Sequence, residues 1–120
     1  MTKLNSKQDR RLHPRIAQSV PVKIAANGFD FATTTLNVSC VGAYCTIQKY
    51  IPPFTRLAIK MALPQRQLSP AHPFNVECKG VVVRTEDTDS GGFNIAIFFN
   101  DIKDNQKEKI NQYIHRYLPK

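Results

Sequence analysis

The chain has 120 residues, 42% of them hydrophobic, which suits one domain with one core and excludes general disorder. No apolar run approaches the length of a bilayer span, and the opening MTKLNSKQDRRLHPR lacks the apolar stretch of a secretory signal, so a cytoplasmic protein is expected. The formal charge of +8 favours an anionic partner, whether nucleic acid, a nucleotide, or an acidic membrane or protein surface.

Residues 1–9 are polar and are expected to form a flexible tail. Residues 10–18 form an arginine arm: RRLHPR places three arginines within six residues. Pro14 fixes its own φ and holds His13 extended, which stiffens the space between Arg11 and Arg15. In SVPVKIAA, Val20, Val22 and Ile24 alternate with Pro21, Lys23 and Ala25, the period of a half-buried strand. Asn27 and Gly28 signal a hairpin turn, after which FDFATTTLNV returns as a second strand. GAYCTIQ reads as a short third strand. TRLAIKMAL alternates again and reads as a fourth. QRQLSPAHP is a polar loop with two prolines. NVECKGVVVRTE is a further strand in which Gly80 marks a bulge or bend. TDSGG is a turn, and FNIAIFF is the last strand. Six such strands with no helix between them predict an antiparallel sheet over residues 19–100 that closes, or nearly closes, on itself.

The end of the chain changes period. Ile110, Tyr113, Ile114, Tyr117 and Leu118 fall at i, i+3, i+4, i+7 and i+8, which predicts an amphipathic helix over 104–118. Asp104 or Asn105 is the expected N-cap. A helix of this length is marginal alone, so its stripe should pack on the barrel.

The chemistry of an enzyme is not visible. There is no nucleophile–base pair, no HExxH and no glycine-rich phosphate loop, and His13, His72 and His115 lie singly. Glu86, Asp87 and Asp89 beside a Gly-Gly turn read as a solvated loop. Cys40, Cys45 and Cys78 are odd in number, sit in apolar stretches and read as reduced core thiols rather than metal ligands; no metal or cofactor is expected. The expected class is a binding module.

Two short motifs give that module a ligand. The first, Arg11-Leu-His-Pro-Arg15, fits RxxxR. The second, Asn37-Val-Ser39-Cys-Val-Gly42, fits [DN]xSxxG. On a strand Asn37 and Ser39 would face the same side, and Gly42 marks a turn or a close backbone approach. In this order, on a six-strand domain with PVKI, VVVRTE and FNIAIFF in place, the sequence resembles the PilZ domain family, bacterial receptors for cyclic di-GMP. The resemblance implies a mainly β fold: a six-stranded antiparallel β-barrel with a C-terminal α-helix. It also implies that Arg11 and Arg15 grip ligand phosphate and guanine, with Asn37, Ser39 and Gly42 as the opposite wall. Two positions depart from the family's habit. Asn37 stands where Asp is commoner, and Ala96 stands in the last strand where Gly is frequent.

The residue types suit such a ligand. A guanidinium donates in a fork to guanine O6 and N7, stacks on a purine face, or clasps a phosphate. Asn37 can accept from guanine N1–H and N2–H, and Ser39 can donate to a phosphate. Arg10 adds a third guanidinium, which points to a second, intercalated cyclic di-GMP per chain. The signal is then expected to pass to a separate protein partner. A different reading is a small basic barrel that binds single-stranded nucleic acid, and a third is a PilZ-like domain that has lost its ligand and only contacts proteins.

Overall fold

A computed structural model describes residues 14–26, 28–63 and 74–117, without the side chains of Phe29 and Phe74. The tail over residues 1–9, Arg10, Arg11, His13, Asn27, the 65–73 loop with its two prolines and His72, and Leu118 lie outside the described residues.

Six strands form: β1 (Pro21–Ala26), β2 (Phe29–Val38), β3 (Gly42–Ile47), β4 (Arg56–Leu63), β5 (Phe74–Asp87) and β6 (Phe93–Asp101). They close into an antiparallel barrel in the order β1-β2-β3-β6-β5-β4. The expected alternation is present: β1 and most of β4 bury every second residue. Val22, Ile24, Leu57, Ile59, Met61, Val76, Val82, Ile95 and Ile97 fill the interior. The β1–β2 hairpin closes with Ala26 opposite Phe29, and Gly28 has a φ of 86°. A β5–β6 register shift between Lys79 and Val81 falls at Gly80, as expected. A Cβ on Gly80 would lie 2.9 Å from Ile59 Cδ1 and 2.8 Å from Ile97 Cγ2, so two barrel strands approach there over a bare backbone.

The helix α1 spans Asp104–His115 and buries Ile110, Tyr113 and Ile114 against the barrel. It begins differently from the expectation. Lys103, in extended conformation, is the N-cap and makes no side-chain capping bond. Its carbonyl accepts from the Gln106 and Lys107 amides, and Asp104 falls in the first turn, where its charge suits the positive end of the helix dipole. The helix also ends earlier than position 118. Arg116 and Tyr117 follow in a tighter turn, with the Tyr117 ring 5.2 Å from that of Tyr113.

The helix has a second task. β6 pairs with β5 only from Lys79 onward, which leaves the start of β5 with a bare edge. Gln106 Oε1 accepts from the Glu77 amide at 2.9 Å, and Lys109 Nζ donates to the Asn75 carbonyl at 3.0 Å. Helix side chains thus cover an edge that would otherwise template pairing with another chain. Among the described residues no helix is long and apolar enough to cross a membrane.

The arm is tied down before the barrel begins. Ile16 is buried and exchanges two backbone hydrogen bonds with Val38, at 3.1 and 3.0 Å. Farther on, the fully buried Thr35 hydroxyl accepts from the Val20 amide at 2.9 Å and donates to the Gln18 carbonyl at 2.6 Å. Residues 16–20 are therefore part of the packed structure.

Candidate ligand-binding face

The bridge from Ile16 to Val38 brings the two motifs together. Arg15 precedes one partner and Asn37 the other, and Arg15 Nη1 donates to Asn37 Oδ1 at 3.2 Å. Arg15 is exposed and Asn37 half-buried.

Asn37 faces outward because β2 contains a bulge. Thr35 pairs with Cys45 and Asn37 with Tyr44, so Leu36 is an extra residue. Thr35 points inward. Were Leu36 an ordinary paired residue, strict alternation would turn Asn37 inward as well. With it, Leu36 and Asn37 both lie on the outer face and Val38 returns to the core. Leu36 is left 45% exposed, the price of the switch.

Ser39 behaves differently from the expectation that it would share a strand face with Asn37. It lies past the end of β2 and is fully buried. Its hydroxyl accepts from the Val41 amide at 3.2 Å and lies 3.5 Å from the Gly42 carbonyl, while its own amide donates to that carbonyl at 2.9 Å. It closes the turn between β2 and β3. Gly42 makes the close approach that its position suggested. A Cβ there would collide with the carbonyl oxygen of Ile97 in β6. The Phe99 amide donates to the Val41 carbonyl at 2.8 Å and fixes the turn to β6. Asn37 and Arg15 thus lie on the face, and Ser39 and Gly42 shape the turn behind it.

Cross-strand pairing extends the face. Asn37 lies opposite Tyr44, Tyr44 opposite Ala96, and Ala96 opposite Arg84, a row across β2, β3, β6 and β5. Arg84 joins the row through a second bulge, between Val82 and Arg84 in β5, which leaves Val83 exposed. Tyr44 Oη donates to Glu86 Oε1 at 2.8 Å, and Arg84 Nε lies 3.4 Å from Glu86 Oε2. The Glu86 carboxylate holds the Tyr44 phenol above its ordinary pKa, chiefly because the phenol donates to it. Glu86 is therefore a strand residue with a partner, not part of a solvated loop. Neither Tyr44 nor Glu86 belongs to a motif; the signal that could have found them is cross-strand register, which a lone sequence does not supply.

The thiols are those of a core. Cys40 and Cys45 are buried and Cys78 is half-buried. Burial pushes Cys45 and Cys78 up to about 12. Among the described residues no three His, Cys, Asp or Glu side chains form a group that could hold a metal.

No curated protein matches this chain by sequence. Among solved structures, the Bacillus subtilis inhibitor of motility (MotI/DgrA) superposes with a TM-score of 0.78 at 20% identity. The alignment covers 89% of this chain and 50% of that one, so the chain spans about half the length of this neighbour. At that identity the likeness is one of fold. The sequence pattern of the PilZ domain matches residues 9–116, nearly the whole chain, which therefore belongs to the PilZ domain family.

Proposed function

We propose that this domain is a cyclic di-GMP receptor that acts by binding, without catalysis, and passes the signal to a separate protein. The observation that carries the reading is the contact between Arg15 and Asn37. Two motifs more than twenty residues apart in sequence meet on one outward face at 3.2 Å. Family membership supplies the class of ligand.

In this reading Arg15 and Arg11 clasp phosphate or lie on guanine, and Asn37 accepts from guanine N1–H and N2–H. The hydrogen bond from Arg15 to Asn37 holds both side chains near their working positions and is exchanged for ligand contacts. Ser39 and Gly42 act through the backbone turn they close. Arg10 supplies a third cation, matched by a second, intercalated ligand.

Calorimetric titration with cyclic di-GMP tests this. Arg15→Ala should weaken binding by roughly 10- to 100-fold, the scale of a lost charged hydrogen bond. Asn37→Ala should cost less, because its bonds to the ligand are not charge-assisted from the protein side. The thermal midpoint of free Arg15→Ala should match the wild type, since this side chain is exposed. Unfolding of the free variant would make Arg15 structural and sink the assignment. Arg10→Ala should reduce the stoichiometry from two ligands to one while binding persists; saturation of the wild type at one would remove the second ligand alone.

A further inference from the structure

The barrel face opposite Arg15 and Asn37 carries a second feature, which shares no residue with the proposed cyclic di-GMP site. A groove of about 1120 Å³ crosses the outer surfaces of β2, β1, β4 and β5 and ends against the start of α1. Lys23, Lys60, Lys79, Lys103 and Lys109 line it, against three carboxylates, Asp30, Glu77 and Asp101. Its floor holds Ala25, Ala32 and Ala58. These methyl side chains leave the sheet backbone open to close approach.

The placement of Lys23 and Lys60 is unfavourable for the fold alone. They lie directly across from each other on β1 and β4. Lys23 has Ala32 on its other side, so no carboxylate faces it across either neighbouring strand. Like charges directly opposite destabilise an antiparallel pair. Glu77 faces Lys60 and Asp101 faces Lys79, yet neither pair closes to an ion pair. Lys23, Lys60, Lys79 and Lys103 thus line the groove with no ion-pair partner among the described residues.

We infer that this groove docks an acidic peptide segment of a protein partner. The surplus of lysines gives the sign of the ligand. The three interspersed carboxylates favour discrete side-chain carboxylates over a continuous phosphate backbone, which they would repel along its length. One aromatic residue, Phe31, lines the groove, but it is half-buried and packed against the core, and the exposed rings Tyr50, Phe54 and Phe98 that base stacking would use lie outside it. Asn75 adds a side-chain amide suited to a peptide backbone, whereas Gln106 is already bonded to the Glu77 amide and to Asn105.

Fluorescence anisotropy with a labelled alternating Glu-Ala peptide, beside a labelled oligothymidylate of equal charge, tests the inference. The peptide should bind the wild type at low salt and weaken as salt rises. Lys23→Gln with Lys60→Gln should weaken it by roughly tenfold or more. Lys49→Gln with Arg56→Gln, an equal loss of charge outside the groove, should leave it nearly unchanged. The groove variant should also melt at or above the wild-type midpoint, because a like-charge pair is gone. No peptide binding at low salt, equal loss in both variants, tighter binding of the oligothymidylate, or a lowered midpoint for the groove variant would each overturn the proposal.

Discussion

Thr35 shows how much one side chain decides. Its hydroxyl satisfies the Val20 amide and the Gln18 carbonyl in a largely apolar core, where Ser39 is the other fully buried polar side chain among the described residues. Replacing it with Val keeps the shape and orphans both backbone groups, at about 1–3 kcal/mol for a buried unsatisfied group. Thr35→Val should lower the denaturation midpoint accordingly. It should also loosen the segment that carries Arg15, so that amide exchange at 16–20 accelerates more than exchange in α1. Uniform acceleration would show that Thr35 stabilises the whole barrel and does not pin the arm. Nothing in TTTLNV distinguishes this threonine from its neighbours. Its role comes from which strand residue meets the returning chain, and that is a tertiary fact.

At the scale of elements, the strands were legible because their apolar residues alternate, and the helix because its stripe follows a period near 3.6. Arg11, Arg15, Asn37, Ser39 and Gly42 were legible as motifs. What the sequence hid is the division of labour among the last three. The alternation rule put Asn37 and Ser39 on one face, but β2 ends at Val38, and the bulge at Leu36 turns only Asn37 outward. A bulge is a local exchange of register for twist, and its cost depends on the partner strand. The extra residue makes a sharp prediction. Deleting Leu36 sets Asn37 directly after the inward Thr35, so plain alternation keeps Asn37 outward and Val38 inward without a bulge. The deletion variant should therefore keep cyclic di-GMP binding better than Asn37→Ala, which should lose roughly 3- to 10-fold for one neutral hydrogen bond. A larger loss in the deletion variant than in Asn37→Ala would mean that register alone does not set the direction of Asn37. The helix N-cap was misread for a related reason: Asp104 and Asn105 are good capping residues, but the extended backbone ends at Lys103, one position earlier.

For the whole molecule, the closed barrel separates two outer faces. One carries Arg15, Asn37, Tyr44 and Arg84; the other carries the lysine groove. Between them lies a core whose ionisable groups resist charging. Cys45 and Cys78 are pushed up to about 12, and Tyr113 is raised by burial and by Tyr117 beside it. Each folded pKa stands above its unfolded value. Between the two values the folded chain therefore holds protons that the unfolded chain releases. These groups should cost nothing below about pH 8, and their contribution should lower stability as pH rises past the unfolded thiol value near 8.5 toward 12. Chemical denaturation at stepped pH checks this; a free energy of unfolding that stays constant to pH ~11 would contradict it.

The central claim is that the outward row beginning at Arg15 and Asn37 receives cyclic di-GMP. The most direct measurement is a two-dimensional amide and side-chain NMR titration of the wild-type protein with that ligand. The account predicts shifts concentrated at Arg15, Asn37, Tyr44, Ala96 and Arg84, including the Asn37 side-chain amide, while Lys23, Lys60 and Lys79 stay in place. Shifts centred on β1 and β4, or none at ligand excess, would contradict it.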